Sequence, residues 1–316
     1  MSDIQPLVSV IIPSWNAGAF IGETISSALA QTYRNLEIIV VDDGSTDDTA
    51  GIVKKFTDPR LIYHYQQNSG RPAHARNTGV KLSKGRYIAF LDSDDLWMPQ
   101  KIEKQMAIIQ KNKDVALVST NAYLLRGSEK TLHPMVHGLK DGYFNCTKLS
   151  PEDKVVNSSA LVNKEILNHL GGLNENADLK AIEDYDLWLR LASKYPCYFV
   201  NEHLVYCRIG HVSVTGSSKN CLDRELNHLY KYFPTYHLPP KMAKDRLSLL
   251  MLQLAFYQLD VGEKEWRKSL RNSVYARPSA FGIIRYIYSF LPRKVAIPMH
   301  NFKKSLDKNS NLRPLV

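Results

Sequence analysis

Five short runs, residues 8–12, 37–41, 61–65, 87–91 and 115–119, constrain this chain most, because they are apolar almost throughout instead of alternating. A strand with one wet face alternates apolar and polar residues; a strand covered on both faces has no need to. Cover on both faces calls for helices, and helical spacing lies between the runs. Phe20, Ile21, Ile25, Ala28 and Leu29 show it, then Ile52, Val53 and Phe56, then Ile102, Met106 and Ile109. The alternation predicts βαβ units, and so an α/β domain with a mostly parallel sheet and flanking helices. In such sheets ligands bind beyond the carboxyl ends of the strands, so the residues that end each run are where chemistry is sought.

Two of these ends are acidic. "EIIVVDDGSTDDT", residues 37–49, passes from an apolar run into Asp42 and Asp43, with Asp47 and Asp48 close behind. "GRYIAFLDSDDLW" ends in Asp92, Asp94 and Asp95. Asp47 and Asp48 read as turn and capping residues of the helix that follows Gly44. Capping does not explain two acidic ends in one sheet, because gathered carboxylates repel unless a cation or hydrogen-bond donors hold them. Oxygen-only donors favour a hard cation, Mg²⁺ or Mn²⁺, which takes one or two carboxylates and completes its shell with phosphate and water. The pattern therefore suggests a site for a nucleoside diphosphate. The chain has no GxxxxGK[ST] loop and no GxGxxG after its first run, so a metal bridge fits the phosphates better than a glycine-rich turn.

Further along, residues 120–160 are polar and irregular and read as a connecting region, partly loop. Residues 161–170 and 183–194 read as helical and 198–209 as extended. From about residue 218 the chain reads as helices over 222–232, 243–259 and 263–275, punctuated by Pro234, Pro239 and Pro240. The expected division is a catalytic domain over residues 1–217 and a helical, basic region over 218–316. In "EDYDLWLRL", Leu187, Trp188 and Leu191 share one stripe, and Asp184 lies above it at the helix N-terminus, beside Glu183 and Asp186. Acidic residues there also complement the helix dipole. Trp97 and Trp188 suit core packing better than an acceptor-stacking role.

The net charge of +10 is unevenly placed: residues 266–316 hold eleven Lys and Arg against Asp307 alone, and residues 1–265 hold 30 of each sign. A neutral first part without a basic groove speaks against a nucleic-acid partner. The tail contains "AFGIIRYIYSFLPRK", an apolar segment with basic flanks that is too short to span a bilayer. Such a helix can lie in the interface of an anionic membrane, or pack on the protein with only its basic edge in water. No run approaches the roughly 18 apolar residues of a transmembrane helix. Asp3 and Pro13 are out of place in a signal peptide. The expectation is a cytoplasmic protein, peripheral on the inner face of the cell membrane. Cys146, Cys197, Cys207 and Cys221 form no CxxC pair and are expected as reduced thiols.

Three blocks carry a family resemblance: residues 8–49, "NSGRPAHARNTGVKLSKGRYIAFLDSDDLW" and "GGLNENADLKAIEDYDLWLRL". In order and spacing they resemble the inverting family-2 glycosyltransferases of the GT-A fold, of bacterial surface-polysaccharide type, over roughly residues 7–212. The resemblance implies roles at matching positions. Asp43 would bind the nucleotide base, with Arg76 and Asn77 near it, and Pro13, Ser14 and Asn16 would edge the pocket. Asp92 and Asp94 resemble the Asp-x-Asp motif, the first facing the ribose and the second holding Mn²⁺ or Mg²⁺. Asp184 resembles the catalytic base, with Glu183 beside it as a second candidate. His211 resembles a histidine that approaches the metal, although "RIGH" has one residue more than the usual Arg-x-His spacing. The implied partners are a nucleotide-sugar donor, with UDP the expected nucleotide, and a glycan or lipid-linked glycan acceptor. One alternative, a nucleotidyltransferase on a related α/β fold, would need a basic residue near the first run, and "PSWNAGAF" has none. The other, a non-catalytic sugar-nucleotide-binding protein, has no need of Asp92, Asp94 and Asp184 together.

Overall fold

The computed structural model describes residues 5–126, 129–134, 136, 140–145, 155–209, 218–236, 238–276 and 278. The chain divides into two compact units, Met1–Lys148 with Asp153–His211, and Leu149–Glu152 with Val212–Val316. The expected boundary at 217/218 adjoins residues 210–217, which lie outside the described residues.

In the first unit the strands are β1 (Val8–Ser14), β2 (Leu36–Asp43), β3 (Leu61–Gln66) and β4 (Tyr87–Phe90), then β5 (Leu96–Trp97), β6 (Leu117–Arg126), β7 (Glu129–Pro134), β8 (Gly142–Phe144), β9 (Leu161–Asn163) and β10 (Cys197–Ile209). They form one sheet in the order β3-β2-β1-β4-β9-β6-β10-β5, with β7 on β6 and β8 on β10. β3, β2, β1 and β4 are all parallel. Beyond β4 the sheet is mixed: β9 runs antiparallel to both β4 and β6, and β10 runs parallel to β6.

Helices cover both faces. On one, Ile21, Ile25 and Ala28 of α1 (Ile21–Leu29), Val53 of α2 (Thr49–Val53) and Ile102, Met106 and Ile109 of α4 (Lys101–Lys111) join a core with Val8, Val10, Ile12, Ile38, Val40, Ala89 and Leu91. On the other, α3 (Pro72–Leu82) crosses β1 and β2 at Gly79, where a Cβ would stand 2.4 Å from the Ile11 side chain. Every residue of β2 is buried, which is why its run shows no alternation. Trp188 of α6 (Glu183–Lys194) meets Phe90 edge-on at 6.2 Å on the face that α3 covers, and Trp97 is buried, so both tryptophans are core residues.

Among the described residues of 120–160, read as partly loop, β6 continues to Arg126, and β7 and β8 follow. Only the start of β6 is buried throughout, and its far end is half wet, so the apolar signal stops before the strand does. Residues 161–163 are strand β9, and helix α5 is confined to Lys164–His169, with the Asn163 side chain accepting from the amides of Glu165 and Ile166. A short apolar run does not reveal by itself whether its period is that of a strand or a helix.

In the second unit, α7 (Ser218–Lys231), α8 (Pro240–Val261) and α9 (Trp266–Ala276) are helical as expected. Gly262, at φ +81°, ends α8 in the left-handed conformation that glycine adopts without strain, and α9 folds back. Leu252, Ala255, Leu259, Trp266 and Leu270 form the core of that pair. The basic tail after Ala276 lies outside the described residues, apart from position 278. Among the described residues no helix is long and apolar enough to cross a membrane.

Candidate active site

The chemistry-bearing residues gather where β1, β2 and β4 end. At β2, Asp42 and Asp43 are both buried, and their hydrogen bonds among the described residues come from uncharged donors. Asp42 accepts from the Ser45 amide at 2.8 Å and from the Tyr63 hydroxyl at 2.6 Å, which closes the turn. Asp43 accepts from Gln66 Nε2 at 2.6 Å and from the Ser69 amide and hydroxyl at 3.1 and 2.9 Å. Gly44 (φ +74°) makes this arrangement possible, because a Cβ there would fall 2.7 Å from the Asn68 amide nitrogen. Asp48, at the N-cap of α2, makes no capping hydrogen bond with its side chain, whereas Asp47 accepts from the amides of Gly18 and Thr49, which suits a turn residue. These hydrogen bonds hold its carboxyl below the ordinary range, against the opposing effect of burial.

Pro13 and Ser14 are the last two residues of β1. The Asn16 carboxamide accepts from the Thr46 amide at 2.8 Å, and its own amide donates to Ser45 Oγ at 2.9 Å, so Asn16 ties the end of β1 to the loop after β2. Asn16 (φ +48°) and Ala181 (φ +71°) are the non-glycine residues with positive φ among those described. Both flank this site, the kind of place where backbone strain is retained for function.

At β4 the arrangement is ionic. Arg76, buried on α3, donates from Nη2 to Asp92 Oδ1 at 2.7 Å and from Nη1 to Glu183 Oε1 at 2.6 Å. It therefore bridges β4 and the N-terminus of α6. Burial works against the guanidinium charge, but Asp92, Glu183 and Asp184 outweigh it and raise its pKa above the ordinary value. Burying Leu187, Trp188 and Leu191 fully, at about 1.5–3 kcal/mol each, seats α6 on the sheet. That seating carries Glu183 and Asp186 out of water, and each then needs a cation: Arg76 for Glu183, Arg190 for Asp186 at 2.8 Å. Asp184, between them, is only half-buried and accepts from the Tyr185 amide.

The turn from Asp92 to Asp95 is held from several elements. The Thr24 hydroxyl of α1 donates to the Ser93 carbonyl at 2.9 Å. Arg208 of β10 donates its amide to Asp95 Oδ1 at 3.0 Å and its Nε to the Asp94 carbonyl at 2.9 Å. The same side chain pairs with Glu23 and lies over the Phe20 ring. Asn157 and Ser158, in a single 3₁₀ turn (Asn157–Ser159), complete the contacts. Burial, and then Asp94 and Asp92, push the Asp95 carboxyl well above the usual range.

A divalent cation fits this donor set. Among the described residues no three His, Cys, Asp or Glu side chains form a ready-made cage. Asp94 with Asp92 would supply the one or two carboxylates that Mg²⁺ or Mn²⁺ takes when phosphate and water complete its shell. His211 lies outside the described residues.

Arg76, which the resemblance puts near the base, joins Asp92 to Glu183. Asn77 faces the segment before α6: it donates to the Leu173 carbonyl and to Glu175 and accepts from the Leu173 amide. Glu183, the second candidate base, is buried with one oxygen on Arg76 and the other without a partner. Gln66, Ser69, Asn157, Ser158 and Arg208 went unnoticed. Ser69 had a signal, since it lies in the "NSGRP" that precedes "ARN". Asn157 and Ser158 had none, lying in a stretch without periodicity. A cavity of about 630 Å³ among Ile52, Phe56, Leu96, Trp97 and Tyr206 contains none of the site carboxylates.

A sheet with a parallel β3-β2-β1-β4 half, acidic ends on β2 and β4 and a carboxylate-bearing helix brought to β4 defines a glycosyltransferase of the GT-A type. Residues 9–171 match the family described as glycosyl transferase family 2, and the chain belongs to that family. It is 37% identical over 232 residues to Escherichia coli WfaP, named UDP-Glc:alpha-D-GlcNAc-diphosphoundecaprenol beta-1,3-glucosyltransferase; the match spans 71% of this chain and 85% of that protein. Its fold is similar to S. aureus TarS 1–349 solved in complex with UDP, with a TM-score of 0.63 and 18% identity over 86% of this chain and 81% of that one. It is also similar to the mannosyltransferase PcManGT of Pyrobaculum calidifontis, solved in complex with GDP-Man and Mn²⁺, with a TM-score of 0.58 and 17% identity over 92% and 83% of the two chains.

Proposed function

We propose that the protein is a metal-dependent, inverting glycosyltransferase that moves a sugar from a UDP-sugar to a hydroxyl of a glycan carried on a lipid diphosphate. The observation that carries this reading is the Asp92–Arg76–Glu183 bridge, which draws the first turn of α6, and Asp184 with it, to the end of β4. A base for the acceptor hydroxyl and an acidic turn for the diphosphate then stand side by side.

In this reading Asp43 accepts from the nucleotide base, while Gln66 and Ser69 fix its carboxylate without neutralising it. Asp92 faces the ribose, and Asp94 with Asp92 holds Mn²⁺ or Mg²⁺, which when bound neutralises the charge of the leaving diphosphate. Asp184 takes the proton of the acceptor hydroxyl as that oxygen attacks the anomeric carbon. Attack from the face opposite the leaving group inverts that carbon in one step. A retaining double displacement would call for a nucleophile on the sugar's other face. Glu183 acts through Arg76 and does not touch the acceptor.

The nucleotide and acceptor are proposed from the relatives: TarS was solved with UDP, and the name of WfaP specifies UDP-Glc and a diphosphoundecaprenol acceptor. PcManGT was solved with GDP-Man, so the test is a donor panel. UDP-, GDP- and dTDP-sugars are incubated with Mn²⁺ and scored by thermal shift and slow donor hydrolysis. Stabilisation by UDP-sugars alone is expected; a preference for another nucleotide, or none without an effect of Mn²⁺, overturns the donor assignment. A lipid-linked acceptor also suits peripheral contact of the basic residues 266–316 with an anionic membrane. Salt-sensitive pelleting with anionic vesicles tests that contact, and failure to pellet at low salt removes it.

A further inference from the structure

Residues 157–159 carry no motif residue, yet they touch the acidic turn at both of its ends. The Ser158 hydroxyl accepts from the Asp92 amide at 3.0 Å and donates to Asp95 Oδ2 at 2.5 Å. Asn157 Nδ2 donates to Asp92 Oδ1 at 2.9 Å, the same oxygen that Arg76 holds. Ser158 is fully buried, so water cannot stand in for its hydroxyl. A hydroxyl accepts and donates at once, and this one does both across the turn that contains Asp94. The 3₁₀ turn is itself anchored. The Trp97 indole N–H donates to the Ser158 carbonyl at 2.7 Å, and Gln105 Nε2 donates to the Ser159 carbonyl at 2.8 Å. Gln105 also accepts from the buried Lys101 ammonium, which lies 4.0 Å from the centre of the Trp97 ring. The support runs from α4 through Trp97 and Ser158 to Asp92 and Asp95.

We infer that Ser158 is a positioning residue of the acidic turn, fixing the spacing of Asp92 and Asp94, and that Asn157 fixes the Asp92 carboxylate beside it. The inference rests on the reading of Asp94 as a cation ligand. Both residues act through the aspartates, so their loss changes how well the cation is held and not how the nucleotide base is recognised.

The test uses the full chain and two readouts. The first is amide hydrogen exchange of the ligand-free protein; the second is calorimetric titration of UDP with and without Mn²⁺. In Ser158→Ala, exchange quickens in peptides covering residues 91–97 and not in those covering residues 42–49. The half-saturating Mn²⁺ concentration rises by about 10- to 100-fold, the usual effect of removing a group that orients a metal ligand. UDP affinity without metal falls far less than the Mn²⁺-dependent part, since Asp92 also faces the ribose in the proposed reading, and Ser158→Thr, which keeps the hydroxyl, restores both readouts. Parental exchange and parental half-saturation in Ser158→Ala would overturn the inference. So would an equal loss of metal-free UDP binding, which would mark a general structural role. Asn157→Ala leaves the hydroxyl in place and covers the case in which Ser158→Ala does not fold. It too must raise the half-saturating Mn²⁺, and a parental value overturns the assignment of the turn. A parent protein whose UDP binding ignores Mn²⁺ would refute the functional reading instead, and the exchange experiment would still decide the role of Ser158.

Discussion

The two acidic strand ends look alike in sequence and are built on opposite principles. At β2, Asp42 and Asp43 are satisfied by neutral donors: an amide and a tyrosine hydroxyl for the first, a glutamine and a serine for the second. At β4, three aspartates crowd one turn, where Arg76 pairs with Asp92 and Glu183, and Arg208, paired with Glu23, donates to the Asp94 carbonyl. A carboxylate fixed by neutral donors keeps some acceptor capacity for an uncharged partner such as a base. Under the proposed reading the crowded turn takes a cation and the neutral-donor site a base, so equal sequence signals would serve different ligands through the different partners of their aspartates.

The comparison is tested most severely at the side to which the proposed function assigns the catalytic step. Asp184→Asn is expected to lower turnover by about 10²- to 10⁴-fold, the scale of a lost general base. UDP affinity should stay near the parent value by calorimetry. A parallel collapse of UDP affinity would make Asp184 a binding group of the same kind as Asp43.

Arg76→Met should produce the largest loss of stability at either strand end, about 3–5 kcal/mol in chemical denaturation, because it strands the buried Glu183 carboxylate and takes a partner from Asp92. A loss near zero to about 1 kcal/mol, as for an exposed pair, would remove the ionic character claimed for the β4 end.

Asp94→Asn and Asp43→Ala sharpen the contrast when read together. The first should erase the Mn²⁺-dependent part of UDP affinity and leave the metal-free part. The second should weaken UDP by about 10- to 100-fold with and without metal, the scale of a lost hydrogen bond to a charged group. An identical pattern in both variants would mean that the two ends serve one function.

The smallest effect is expected at Asp42, which closes a turn. Asp42→Ala should cost about 1–3 kcal/mol in thermal or chemical unfolding, through the unpaired Ser45 amide and Tyr63 hydroxyl. A change in UDP affinity would place it in the nucleotide pocket with Asp43.

The sequence alone determined most of the parallel half of the sheet, because strands buried on both faces leave continuous apolar runs, and β1, β2 and β4 each left one; β3, at the edge, is partly exposed along its length, and its run is less purely apolar. It also determined the acidic ends and helix α6, whose stripe of Leu187, Trp188 and Leu191 predicted the span from 183 to 194 that the structure has. These are local signals: a period, a run, a cap. Tertiary structure alone decided the mixed half, where β9 is three residues long and exists as a strand only because β4 and β6 flank it. It also decided the partners of the aspartates. Glu183 lies 107 residues from Arg76, and Ser158 lies 66 from Asp92. Nothing in the local pattern around a buried arginine or serine records which distant carboxylate or amide it will meet. That pairing is fixed when the helices settle on the sheet and every buried polar group has to find a partner within reach.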